Sequence, residues 1–214
     1  MIRIPGIKYQ KELEALPYFN KSQARLLIGK AGRNLDAKLA QLKKIDYLVP
    51  LKKNLYVSDP FYQKANRIRY NEYLAGILRS PSYLSLEYVL AKEKVVPQSV
   101  INFTSITLKS PRSYKNTSGT FLYRNLKSVL FTGFIEGNWG GKVIRRASRA
   151  KALFDWLYLQ KLPPFKSKLP RSLRINWDRV SLDDINEFRK YVKLSRSAKM
   201  SQIFTIIQKK HAHK

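Results

Sequence analysis

Between residues 22 and 57 the chain is punctuated in a way that few folds accommodate. An apolar-periodic segment with Ala24, Leu27 and Ile28 facing one way stops at Gly29. A second begins after Gly32 and carries Leu35, Leu39 and Leu42 at four- and three-residue spacing, which lays a single stripe along a helix from about Arg33 to Lys44. Two short runs follow, Tyr47-Leu48-Val49-Pro50 and Asn54-Leu55-Tyr56-Val57, and read as strands joined by a basic tip of Leu51, Lys52 and Lys53. Ahead of them, Tyr9 to Leu16 reads as a helix closed by Pro17, and Ser22 can cap the next. The order helix, helix, turn, helix, two-stranded hairpin predicts a winged helix-turn-helix over residues 1–60.

The outer face of the third helix then matters for function. Opposite the leucine stripe stand Arg33, Asn34, Ala37, Lys38 and Gln41. Arginine can read guanine, and Asn or Gln can read adenine, in the major groove. Lys52 and Lys53 on the wing would meet phosphates. Ser22, Arg33, Asn34, Lys38, Gln41, Lys52 and Lys53 are therefore the candidate DNA-binding residues. The plainer alternative is a small helical domain with an ordinary polar face.

Charge favours an anionic partner. The chain has 42 Lys plus Arg against 14 Asp plus Glu, a net +28, yet 44% of its residues are hydrophobic. A folded body with that excess repels itself unless something anionic is near. Nucleic acid is the first candidate, an acidic protein the second, an anionic membrane surface the third. Residues 145–214 alone hold 18 bases and 5 acids. The absence of cysteine excludes disulfide scaffolds and thiolate metal sites. No apolar run is long enough to span a bilayer, and Met1 to Gly6 lack the apolar stretch of a signal peptide, so a cytoplasmic protein is expected.

The boundary is expected near Ser58-Asp59-Pro60, with residues 61–214 as a second, mixed α/β domain and the whole chain α+β. Its pattern predicts a helix from about Tyr62 to Leu78 with Ile68, Leu74 and Leu78 among its apolar positions. A turn at Arg79–Ser85 leads to a short helix at Leu86–Lys92, and a strand spans Val100–Leu108. Asn116-Thr117-Ser118-Gly119 marks one hairpin, between Arg112–Lys115 and Thr120–Tyr123. Val129–Ile135 and Lys142–Arg146 flank the turn of a second, Gly137–Gly141. Ser148 caps a helix carrying Leu153, Trp156, Leu157 and Leu159. After a connection with Pro163, Pro164 and Pro170, helices at Leu182–Leu194 and Ala198–Lys210 close the chain.

Several of these segments resemble a known family. They are Pro81-Ser82-Tyr83-Leu84-Ser85-Leu86-Glu87 and Val96-Pro97-Gln98, Thr104-Ser105, Gly119-Thr120-Phe121 leading to Tyr123-Arg124, Leu130-Phe131 with Gly133, and the run from Lys151 to Leu159. In order and spacing they resemble the AbiEi antitoxins of type IV toxin–antitoxin (abortive infection, phage defence) systems, over about residues 71–160. The resemblance implies an N-terminal winged helix and a C-terminal antitoxin domain with a small sheet and C-terminal helices. It implies a transcriptional repressor of its own operon; because a lone winged helix reads a half-site weakly, two copies are expected on inverted repeats in double-stranded operator DNA, with a dimer formed only there as one possibility. It also implies neutralisation of a cognate nucleotidyltransferase-type toxin, directly or functionally.

One departure stands out. Where the family usually opens the Lys-Ala-Leu helix with Pro-Glu, this chain has Arg149-Ala150. Arg145, Arg146 and Arg149 thus cluster at a helix start that is itself positive. They form either a patch that meets the toxin or another anion, or a solvated basic surface.

Signs of catalysis are sparse, and the chain does not read as an enzyme. No G-x-x-x-x-G-K-[ST] loop is present. His211 and His213 stand in a basic tail, and no metal site or cofactor is expected. Asp183, Asp184 and Glu187 are the densest acids, but Ser181 three residues before Asp184 makes a capping box. Asp155 and Glu87 are expected to pair internally with an arginine. The alternative function is an RNA-binding or ribosome-associated basic protein, although no RRM, KH or double-stranded-RNA motif is visible.

Overall fold

The computed structural model describes residues 4–97, 102–162 and 169–212. The chain is α+β and divides into two compact units. One comprises the residues up to Asn71 together with Tyr114–Gly119, and the other comprises Glu72–Ser113 and Thr120 onward. Among the described residues, no helix is long and apolar enough to cross a membrane.

The first unit opens with α1 (Gln10–Ala15), β1 (Phe19–Asn20), α2 (Lys21–Ile28) and α3 (Gly32–Lys44). Strands β2 (Leu48–Lys52) and β3 (Leu55–Ser58) and helix α4 (Asp59–Lys64) follow. Its core is Leu13, Phe19, Ala24, Ile28, Leu35, Leu39, Leu42, Tyr47, Leu48 and Tyr56, with Leu27 packed at its margin. Helix α2 is not capped by Ser22. Asn20, one residue ahead of the helix, accepts from the Gln23 amide at 2.8 Å while Gln23 Oε1 accepts from the Asn20 amide, a capping box that leaves Ser22 exposed inside the helix. Gly29 then takes the left-handed conformation (φ 77°) that closes α2.

The hairpin tip also differs from expectation. Leu51 is buried within β2, because the register between Pro50 and Lys52 contains a bulge. The turn is therefore Lys53-Asn54, with Asn54 at φ 59°. Strand β1 joins as a third strand, Phe19 opposite Tyr56.

The helix expected over Tyr62–Leu78 is two. Ser58 caps α4, Ala65 is extended (ψ 142°), and the Asn66 side chain accepts from the Arg69 amide at 3.1 Å to start α5 (Arg67–Leu78). A side chain that caps competes with helix continuation. Leu74 and Leu78 are buried, while Ile68 is 63% exposed.

The second unit carries β4 (Ser82–Leu84), α6 (Leu86–Lys92), β5 (Phe103–Thr107), β7 (Gly119–Asn125), β8 (Phe134–Trp139) and β9 (Lys142–Ala147). Helices α7 (Arg149–Leu159), α8 (Leu182–Ser195) and α9 (Ala198–Ala212) complete it. With β6 (Arg112–Asn116) the strands form a mixed sheet in the order β6-β7-β5-β4-β9-β8. Strand β4 pairs antiparallel with β5 and parallel with β9. The sequence reads β4 as a turn, since three residues between Pro81 and a helix show no alternation. The Thr104 hydroxyl donates to the Ser85 carbonyl at 2.7 Å and accepts from the Tyr88 amide, tying the start of α6 to β5.

Three further expectations change in detail. Val129 lies in a short 3-10 turn rather than a strand. Gly137, Asn138 and Trp139 belong to β8, and the turn is Gly140-Gly141, both with positive φ. Gln98 to Ile101, at the expected start of β5, and Pro163, Pro164 and His213 lie outside the described residues. Helix α7 packs against α6 and α8, and α8 against α9.

Candidate nucleic-acid interface

Helix α3 presents two different faces. Leu35, Leu39 and Leu42 are buried, and Arg33, Asn34, Ala37 and Gln41 are exposed. Lys38 is half-buried. Its ammonium donates to the Pro5 carbonyl at 2.6 Å and to Gln41 Oε1 at 2.9 Å, so it holds the turn at Pro5-Gly6 to α3 as much as it faces solvent. The one acid of the helix, Asp36, pairs with Lys21 of α2. The open side of α3 therefore offers two amides and a guanidinium, with Asp36, still exposed, held by Lys21. In the same unit Lys53 sits exposed at the hairpin tip. Lys52 is half-buried, its ammonium 5.9 Å from the Tyr114 ring.

The second cluster of bases behaves differently. Arg145 bonds Glu136 at 2.9 Å. Arg146 lies 4.0 Å from Glu93, and Arg149 lies 3.8 Å from Glu93 and 3.5 Å from Asp184. Arg149 also donates to the Arg179 carbonyl. The acid missing from the start of α7 is thus supplied by β8, by the segment after α6 and by α8. All three arginines have carboxylates within 4.0 Å and stay partly exposed.

Beneath them lies a buried charge network that the sequence reading did not foresee. Lys151 and Asp155, one helical turn apart on α7, are both fully buried and bonded to each other. Asp155 also accepts from the Tyr83 hydroxyl at 2.9 Å and the Ser85 hydroxyl at 2.8 Å. The ammonium is surrounded by the rings of Tyr83, Phe154 and Tyr191 at 5.1 to 5.7 Å. Burial pushes the Lys151 amine below its ordinary range and the Asp155 carboxyl above, and the ion pair opposes both. Burial and Asp155 together push the Tyr83 phenol well up. The signal was present: Lys and Asp at i, i+4 among the apolar residues of one helix.

Asp155 thus pairs with a lysine, not an arginine, and Glu87 accepts from the Trp156 indole at 3.0 Å instead. With no exposed atom, Lys151 and Asp155 cannot reach a substrate; they fix α7 to β4. Ser181 and Asp184 do form the capping box, and Glu187 accepts from Ser148 at 2.6 Å and from Tyr191. Among the described residues no group of three or more His, Cys, Asp or Glu could hold a metal ion.

No model of a known protein family matches this chain, and no curated protein matches it.

Proposed function

We propose that the chain is a non-enzymatic DNA-binding antitoxin. In this reading residues 1–60 are a winged helix-turn-helix with α3 in the major groove and the β2–β3 tip on the backbone, and they repress the chain's own operon at inverted repeats. The remainder neutralises a nucleotidyltransferase-type toxin. The observation that carries the DNA half is the exposed face of α3 at Arg33, Asn34 and Gln41, held outward by the buried leucine stripe, with the helix's one acid, Asp36, paired to Lys21. Guanidinium and carboxamide groups on a rigid helix are what base-edge readout requires. The antitoxin half rests on the sequence resemblance over residues 71–160 and on the chain's net charge.

The test separates the halves. Arg33→Ala and Asn34→Ala should lose selective operator binding and retain toxin neutralisation in a co-expression growth assay. Loss of both functions together would count against the division. Arg145, Arg146 and Arg149 are the candidate toxin- or anion-facing patch, and charge reversal at all three should impair neutralisation while leaving operator binding intact.

A further inference from the structure

The second unit has an unclaimed basic groove of about 830 Å³ beside the C-terminal end of α8, lined by Lys127, Val129, Lys190, Lys193, Leu194 and Arg196 together with buried Ser195. Its chemistry is unlike that of the Arg145 cluster. Four of the seven lining residues are cations and none is acidic. Lys127, Lys190, Lys193 and Arg196 are all exposed, and each lacks an ion pair among the described residues, in contrast to Arg145, Arg146 and Arg149. Between them the apolar Val129 and Leu194 stand 54% and 44% open. Arg196 occupies the left-handed closing position of α8, φ 49°, where glycine is the usual residue. The negative end of the helix dipole accounts for Lys193. Lys127, contributed by a different segment, has no such explanation.

The geometry points to this groove as the docking site for an acidic protein segment that carries an apolar anchor. Carboxylates would meet the four cations, and an aliphatic side chain would cover Val129 and Leu194. Single-stranded nucleic acid fits less well, because its bases stack on aromatic platforms and no aromatic residue lines the groove. Duplex backbones offer nothing to bury the two apolar residues. The inference concerns this groove alone and stands or falls separately from DNA binding by α3.

The experiment uses the full-length protein and anisotropy at about 0.15 M salt, where exposed charges more than a Debye length apart are screened. The probes are a labelled helical Glu/Leu peptide, the same-charge Glu/Ser peptide, and single-stranded oligouridylate. The Glu/Leu peptide should bind at least about tenfold more tightly than either other probe. Reversing Lys190→Glu with Lys193→Glu should remove that preference. The matched reversal of exposed Lys109→Glu with Lys209→Glu changes net charge equally and should leave it in place. Val129→Ser with Leu194→Ser alters only exposed side chains, so folding is spared, and should bring the two peptides together. Equal binding of both peptides, equal loss from both charge reversals, or tighter groove-dependent binding of the oligonucleotide would each overturn the assignment.

Discussion

Helices α3 and α7 both carry bases that look functional in the sequence, and the fold treats them in opposite ways. On α3, Arg33, Asn34 and Gln41 stand on the solvent side, and the helix's own acid is taken up by Lys21. On α7, Arg149 meets carboxylates from two other segments, and Lys151 is drawn fully inside against Asp155. A cluster of bases in a sequence shows how much positive charge is present. It does not show whether acids arrive from elsewhere in the chain. Glu93, Glu136 and Asp184 lie far apart in sequence and converge on one cluster only when the sheet and helices are assembled.

The comparison breaks most visibly at Asp155. Asp155→Ala leaves a buried ammonium without its carboxylate and two hydroxyls without an acceptor, which should cost about 3–5 kcal/mol in denaturant unfolding. The double variant Lys151→Met with Asp155→Leu should recover the part due to the uncompensated ammonium, while the Tyr83 and Ser85 hydroxyls still lack their acceptor. A small effect for Asp155→Ala alone would mean that α7 does not depend on its buried pair.

A smaller loss is expected at Gly133, which lies directly under α8. A Cβ there would sit 2.1 Å from the Tyr191 hydroxyl, and φ is +73°. Gly133→Ala should lower stability by about 1–3 kcal/mol. On α3, if Arg33 reads a base as proposed, Arg33→Ala should cost a comparable ~1–3 kcal/mol, read in DNA affinity rather than in stability.

Tyr47 in the first unit and Tyr83 and Tyr191 in the second extend the contrast to pH. Burial, reinforced by Glu14, Asp155 and Glu187 respectively, raises all three phenols above the ordinary 10. A raised pKa in the folded state gives stability that is complete below pH 10 and lost as pH rises further. Alkaline unfolding should therefore be blunted in Tyr83→Phe relative to the parent, measured as the slope of stability against pH above 10. The smallest effect belongs to the surface. Arg145→Ala removes a half-exposed ion pair and should change stability by less than about 1 kcal/mol. Lys53→Ala should reduce the salt slope of DNA binding by about one.

Local chemistry was legible in the sequence and assembly was not. The stripe Leu35, Leu39 and Leu42, the Ser148 cap, the Ser181/Asp184 box and the Asn116–Gly119 hairpin all depend on neighbours within a few residues, and all are present. Four of the features that escaped show why. Strand β4 is too short to alternate and is defined by partners in β5 and β9. The break at Ala65-Asn66 turns on one competing side-chain hydrogen bond. Asn20 outcompetes Ser22 as a cap because Gln23 completes a reciprocal pair. The fourth is where the carboxylates go. At the candidate interface, Arg33, Asn34 and Gln41 were readable because one buried stripe fixes the opposite face. The second tie of Lys38, to Pro5, was not readable, since it spans 33 residues.

The central claim is that the open face of α3 reads DNA. It is tested most directly by titrating the full-length protein against the DNA upstream of its own gene, a scrambled duplex and a structured RNA at two salt concentrations. The account predicts a tight preference for the upstream DNA that survives the higher salt and is lost in Arg33→Ala. Equal, salt-sensitive binding to all three would contradict it and make the positive charge a generic trap for polyanions.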